Sequence, residues 1–242
     1  MQDAIERTGF AIVENVLDAQ EATALAESVE RRWPREPGTD RSGTYARRDL
    51  LALPEVARLA NSSSLRRLVE PVLGPMAFAV RGLWFDKVPG ANWKVVWHQD
   101  LTIAVRERVE VPRYRAWSLK GGVPHVQAPA ELLARMLTVR LHLDDCGDAD
   151  GPLRVISGSH RAGRLSDDEI MQRSKERIET VCRVGRGGAL LMRPLLLHAS
   201  SAATTPSHRR VIHIEYAAQD LPGGLEWHVR VGKGDGTQAN HR

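Results

Sequence analysis

Met136-Leu-Thr-Val-Arg-Leu-His-Leu143, the cluster Gly147-Asp-Ala-Asp-Gly151 and then Leu153-Arg-Val-Ile156 form the stretch on which the fold is decided. Two short apolar runs flank a segment whose Gly and Asp residues favour a chain reversal, the pattern of strands in an antiparallel sheet. In the first run Val139 and Leu141 alternate with Arg140 and His142, so a strand there has one apolar and one polar face. The same texture continues on both sides: Phe78-Ala-Val80 to Val88, Ala189 to Met192 and Val211 to Tyr216 are further short runs, separated by clusters such as Pro89-Gly90 and Gly185 to Gly188. Many short strands imply a sandwich or closed barrel. A double-stranded β-helix, the cupin-like jelly roll, buries such strands and leaves one mouth open to a ligand.

Upstream of Ala77 the periodicity is helical. Phe10-Ala-Ile-Val13 reads as a strand, Asp18 and Glu21 stand in capping-box register, and Ala22, Leu25, Ala26 and Val29 recur at helical spacing. A second amphipathic helix is expected after Ser64, with Leu65, Leu68, Val69 and Val72 on one face and Gly74-Pro75 ending it. Arg35 to Thr44 reads as a loop. The expectation is one domain over residues 1–242: a mainly helical part over 1–76, a mainly β jelly-roll core over 77–231, and a flexible tail over 232–242. Residues 101–135, charged and Gly-containing with a short helix after Pro129, read as an irregular lid-like insertion.

A net charge of +4, with basic residues interspersed among acids, argues against a nucleic-acid partner. No run approaches the roughly 20 apolar residues that span a bilayer, and Met1-Gln-Asp-Ala-Ile-Glu-Arg lacks the order of a signal peptide, so a cytoplasmic protein without a membrane partner, monomeric or homodimeric, is expected. Cys146 and Cys182 lack zinc-type spacing and read as small buried hydrophobes.

In Trp97-His98-Gln99-Asp100 a histidine and a carboxylate stand two positions apart, which on a strand places both on one side. A third ligand from a distant strand completes a two-histidine, one-carboxylate facial triad, which leaves positions on iron for a cosubstrate and oxygen. His198 is the natural candidate. His142-Leu143-Asp144 is a second His-x-Asp, and spacing alone leaves the two open. Arg209, eleven positions after His198, offers a planar fork for a carboxylate, with Arg210 beside it as competitor. His160, in Ser157-Gly-Ser-His160, reads as a structural turn residue.

These segments, together with Gly9-Phe-Ala-Ile-Val13, Lys87-Val-Pro-Gly90, Leu143-Asp-Asp145 with Gly151-Pro-Leu153, His198-Ala-Ser200 and Arg209, resemble as an ordered set the phytanoyl-CoA dioxygenase family of 2-oxoglutarate oxygenases, from about Gly9 to about Tyr216. The resemblance implies that His98, Asp100 and His198 bind Fe(II), that 2-oxoglutarate and O2 are cosubstrates, and that Arg209, helped by Ser200, holds the far carboxylate of 2-oxoglutarate. It also implies that Arg140 and His142 line the pocket, with Arg140 where an aromatic residue commonly stands. The implied reaction is hydroxylation of an unactivated C–H bond of a small molecule, with release of succinate and CO2. Arg106, Arg108, Arg115 and Lys120 suggest a carboxylated substrate, although a solvated charged face explains them equally. The other classes are a jelly-roll sensor or partner module that binds metal or 2-oxoglutarate without turnover, and a zinc hydrolase using the same ligands.

Overall fold

Short apolar runs become strands when their backbone groups find partners and their side chains are buried on one or both faces. In the computed structural model, which describes residues 1–32, 47–88, 92–205 and 207–232, one antiparallel sheet has the order β1 (Phe10–Val13), β10 (Ala189–Met192), β7 (Leu137–His142), β12 (Arg209–Ala217), β2 (Phe78–Lys87). A second comprises β3 (Val95–His98), β11 (His198–Ser200), β8 (Leu153–Ile156) and β9 (Glu179–Cys182). Leu190 and Met192 of the first sheet pack against Leu153, Val155 and Cys182 of the second, which makes the two sheets the walls of a jelly roll.

The opposite side of the first sheet is covered by helices. Leu137, Val139, Leu141, Ala189, Leu191, Ile212 and Ile214 pack with Ile5 of α1 (Gln2–Thr8), Ala22, Ala26 and Val29 of α2 (Ala19–Arg32), Val56 of α3 (Pro54–Ala60) and Leu65 and Val69 of α4 (Ser63–Leu73). Burial of each larger side chain contributes about 1.5–3 kcal/mol relative to exposure. The capping box forms at α2: Asp18 N–H donates to Glu21 Oε2 at 2.8 Å and Glu21 N–H to Asp18 Oδ1 at 2.7 Å. Helix α4 starts slightly earlier than its apolar face suggests, because Ser62 takes the N-cap position and accepts from Leu65 N–H at 3.4 Å.

Residues 101–135 depart from the irregular segment read from sequence. They hold a third sheet, β4 (Thr102–Ala104), β6 (Val123–Gln127), β5 (Arg115–Lys120), followed by α5 (Ala130–Leu133). Ile103, Val105, Tyr114 and Val126 pack with Leu132, Leu133 and Trp227, so the segment is fastened to the barrel by its own apolar cluster. A polar helix, α6 (Asp167–Glu176), lies between β8 and β9. The loop expected over Arg35 to Thr44, the Pro89-Gly90 turn and the tail beyond Gly232 lie outside the described residues. No helix among the described residues is long and apolar enough to cross a membrane.

Strand register prepares the functional face. Residues directly opposite in an antiparallel pair point to the same side. The pairs Arg209–Lys87, Val211–Phe85, His213–Leu83 and Glu215–Arg81, and across the other edge of β12 Val211–His142, His213–Arg140 and Glu215–Thr138, therefore form one face. Its charged residues are unusual for so deep a position: Lys87, Arg140, Arg209, His213 and Glu215 are all buried.

Candidate active site

His98 closes β3 and His198 opens β11, and the two are paired residues of neighbouring antiparallel strands. Their rings lie 4.1 Å apart between centroids. Asp100 follows two residues after His98, its N–H bonded to Pro194 O at 2.9 Å. Its carboxylate reaches both rings, with Oδ1 3.8 Å from His98 Nε2 and Oδ2 3.7 Å from His198 Nε2. Gln99 fixes the turn between the ligands: Nε2 donates to Gly163 O at 2.8 Å and Leu195 O at 2.7 Å, and Oε1 accepts from Leu165 N–H at 2.8 Å.

The donor set fits a divalent transition metal. His98 Nδ1 lies 2.9 Å from Val96 O and His198 Nδ1 2.8 Å from Leu196 O. A carbonyl can only accept, so both Nδ1 atoms carry the proton and both Nε2 lone pairs face inward. Burial, with the charge of His98 second, pushes His198 down to about 3, which keeps it neutral near pH 7. Burial opposes ionisation of Asp100, but His198, His213, His98 and Arg81 outweigh it and hold the carboxyl well below the usual range. Asp100 Oδ2 is buried with no hydrogen-bond partner, and one donor atom from each of the three residues lies within 4.8 Å of the others.

The rival His142–Asp144 pair is divided. Asp144 accepts from Arg210 N–H at 2.8 Å, Nε at 2.8 Å and Nη2 at 2.6 Å, whereas His142 is buried on the inner face with Nδ1 unpartnered. A further three-donor group, Glu30, Asp86 and His208, lies apart from this face, with Arg210 Nη1 bonded to Glu30 at 3.3 Å.

The structure also separates the adjacent arginines. Arg210 is committed to Asp144 and Glu30, while Arg209 turns inward, its Nη1 donating to Gly151 O and its buried Nε without a partner. Lys87, which sequence reading placed only in a supporting segment, lies opposite Arg209 and is fully buried. Its ammonium donates to Ser200 Oγ at 3.4 Å and Gly151 O at 3.4 Å, and to Ser201 O. Burial first, and the Arg209 charge second, push it down to about 7. Burial likewise lowers Arg140 to about 10, and its Nη1 donates to His213 Nδ1 at 2.9 Å. None of Lys87, Arg140 and Arg209 is ion-paired to a carboxylate among the described residues. Buried cations without counter-ions are costly, so this face is suited to an anion with planar carboxylates.

A buried chain continues from Arg140. His213, accepting at Nδ1, carries its proton on Nε2 and donates to Glu215 Oε1 at 3.2 Å, and Glu215 pairs with Arg81. Arg81 Nη1 reaches Thr102 Oγ1 at 3.5 Å. Sequence reading treated His213 as structural; only strand register brings this chain together. His160 has the structural place expected, its Nε2 donating to Glu6 O at 3.2 Å, and Cys146 and Cys182 are buried free thiols.

The sequence model of the family described as phytanoyl-CoA dioxygenase (PhyH) matches residues 5–211. An ectoine dioxygenase of Bordetella parapertussis is 28% identical over 167 residues, covering 64% of this chain and 47% of that protein. The chain thus spans about half the length of the curated relatives it matches. Among solved structures, the non-haem alpha-ketoglutarate dependent carbocyclase SnoK from nogalamycin biosynthesis superposes with a TM-score of 0.68 at 17% identity, over 97% of this chain and 87% of that one. EctD from S. alaskensis with 2-oxoglutarate and 5-hydroxyectoine gives 0.66 at 20% identity, over 90% and 74%. At these identities the structural likeness establishes the fold.

Proposed function

Since the chain belongs to the phytanoyl-CoA dioxygenase family, we propose that it is an Fe(II)- and 2-oxoglutarate-dependent dioxygenase that hydroxylates a C–H bond of a small molecule. The observation that carries this function is the convergence of His98, Asp100 and His198 beside a buried face bearing Arg209 and Lys87. When bound at the three ligands, iron(II) supplies the redox chemistry by which 2-oxoglutarate and O2 become succinate and CO2 as the substrate C–H is converted to C–OH.

The protein's contribution is placement. The Nε2 atoms of His98 and His198 and the ionised Asp100 carboxylate would hold the iron through three donors and leave it open to further ligands. Arg209 presents a fork to the far carboxylate of 2-oxoglutarate, with Lys87 as a second positive charge and the Ser200 hydroxyl as a hydrogen-bonding neighbour. Arg140 and His142, projecting from β7 on the same face, bound the pocket and help keep water from it.

The test measures succinate from 2-oxoglutarate under air with added iron(II) and ascorbate, with and without a panel of small molecules. The wild type forms succinate, whereas His98→Ala and His198→Ala do not and lose iron binding. Full turnover by His98→Ala with loss in His142→Ala would move the centre to the rival motif. Binding of iron and 2-oxoglutarate without any succinate would refute catalysis and leave a binding module.

A further inference from the structure

On the far side of Arg81 from the buried chain, charges remain that neither the metal ligands nor the Arg209 cradle uses. A small open cleft lies there, bounded by residues 80–83 of β2, the segment around Arg48 and Asp49, the β4–β6–β5 sheet and residues 228–229. Its lining includes Arg48, Arg81, Lys120, His125 and His228, with Asp49 the one acidic residue among them. The cleft is small and open, sized for the end group of a ligand and not for a whole molecule.

Local geometry brings Arg48 to this place. A Cβ on Gly82 would lie 3.1 Å from Leu50 Cβ and 3.1 Å from the Leu51 amide nitrogen, so glycine lets the 3₁₀ turn Leu50–Ala52 lie this close to β2 without crowding. The chain enters that turn through Asp49 in a left-handed conformation, φ 63°, with its carboxylate 3.8 Å from His228 Nε2. From the other wall, Lys120 and His125 extend out of β5 and β6, the sheet held down by its own apolar cluster.

The cleft has positive charge in excess. Arg81 is occupied by Glu215, and Asp49 faces His228, but Arg48 and Lys120 have no ion pair among the described residues. Burial and the neighbouring charges of Arg81 and Arg48 lower the Lys120 ammonium, with Asp100 and Glu215 opposing them. His125 is pushed down to about 4, by burial first, and so is neutral near pH 7. Arg81 borders both spaces: it lines the cleft, and its guanidinium is stabilised by the Asp100 charge.

We propose that this cleft receives the oxyanion end of the substrate, a carboxylate or a phosphate ester, with Arg48 and Lys120 as its grips. Glu215 pins Arg81 as the wall between this end and the metal ligands, so the bond to be oxidised is directed toward Asp100. The assignment rests on the dioxygenase function above and adds the substrate's charge class to it.

The experiment loads the full chain with iron(II) and 2-oxoglutarate under nitrogen, filling the metal site and the Arg209 cradle without turnover. It then titrates inorganic phosphate, benzoate and neutral benzamide by calorimetry. The expected result is binding of one or both anions, no binding of benzamide, and affinity weaker by at least about tenfold in Arg48→Gln/Lys120→Gln. Arg48→Lys/Lys120→Arg, which keeps both charges, retains binding. Stronger binding of phosphate assigns a phosphate ester, and stronger binding of benzoate a carboxylate. Failure of the wild type to bind either anion, equal affinity in the Gln variant, or benzamide binding as well as benzoate overturns the assignment. Succinate formation by the wild type in air separates the two claims: with succinate present and anion binding absent, only the cleft assignment fails, whereas with succinate absent the dioxygenase function itself fails.

Discussion

Substitution of two adjacent arginines separates cosubstrate binding from folding. Arg209 is 4% exposed, with Nη1 held by Gly151 O and Nε unpartnered, so Arg209→Ala removes a prepositioned fork and breaks no ion pair. A hydrogen bond to a charged group contributes about 1.5–3 kcal/mol, a factor of roughly 10 to 150 in an equilibrium constant. Part of that loss is offset, because Lys87 is lowered by burial and then by Arg209, and loss of Arg209 returns its ammonium toward full protonation beside the ligand. The expected rise in the KM for 2-oxoglutarate is therefore about 10- to 100-fold, with the iron requirement nearly unchanged. Arg210→Ala acts differently, since it strips the two guanidinium donors, Nε and Nη2, from Asp144, whose side chain is only 10% exposed. The backbone N–H of residue 210 still serves Asp144, but loss of the guanidinium costs about 3 kcal/mol and lowers Tm by roughly 6–12 °C for a chain of this size. Succinate formation against 2-oxoglutarate concentration, with thermal unfolding of the same samples, measures both. Matching KM values for the two variants would refute the assignment of Arg209 as the inward arginine.

Two further outcomes follow from the cradle. Lys87 titrates near 7 when folded against an ordinary 10.5, so the unfolded chain holds the extra proton between these values and stability attributable to Lys87 rises with pH across that window. Because a dicarboxylate favours the ammonium, the KM for 2-oxoglutarate should climb above about pH 7 in the wild type and much less in Lys87→Met; parallel KM–pH curves would count against this. Gly151 has φ 63°, and a Cβ there would meet Ser201 O at 2.4 Å and Lys87 Nζ at 2.9 Å, whereas Gly74, at φ 87°, has nothing within 4 Å. Gly74→Ala should cost only about 1–2 kcal/mol of backbone strain, while Gly151→Ala should lower Tm further and also raise the KM for 2-oxoglutarate; equal Tm losses with an unchanged KM would show that the Gly151 carbonyl does not position the cradle.

What could be read from the sequence is what local physics controls. Leu137–His142, Ala189–Met192 and the strand containing Val211 announce themselves because their alternate residues face the helices and the barrel interior. The Asp18–Glu21 cap is a contact between residues three apart and needs no tertiary information. Helix α6 gave no apolar periodicity because it buries none of its residues; the Ser166–Glu169 capping box was the one local signal that could have found it. The third sheet was hidden by its exposed charges, since the burial of Ile103, Val105 and Val126 depends on Leu132, Leu133 and Trp227 elsewhere in the chain. At the site, spacing left His98 and Asp100 level with the rival motif and only the resemblance to the family preferred them; in the structure Arg210 on β12 engages Asp144, dividing the rival pair. Lys87 and the His213–Glu215–Arg81 chain were invisible for the same reason, as register alone sets their neighbours.

The inner face also explains why two arginines can be buried around one site without unfolding it. Arg81 has Glu215 as its partner, and Glu215 accepts a hydrogen bond from Nε2–H of neutral His213, whose other nitrogen accepts from Arg140. Arg140 is thereby connected to a carboxylate at one remove, through a polarised ring, and not by direct contact. Arg81, Lys87, Arg140 and Arg209 face two carboxylates, half-buried Asp100 and buried Glu215, an excess of positive charge that a doubly charged metal and a doubly charged dicarboxylate, cancelling each other, leave in place. Lys87 alone can relieve it, being near its own midpoint at neutral pH. A cationic substrate would enter against this field, and a neutral one would leave it uncompensated. An anionic group in the cleft beyond Arg81 would lower the electrostatic cost of the loaded site, tying substrate charge to the same buried residues that hold the cosubstrate.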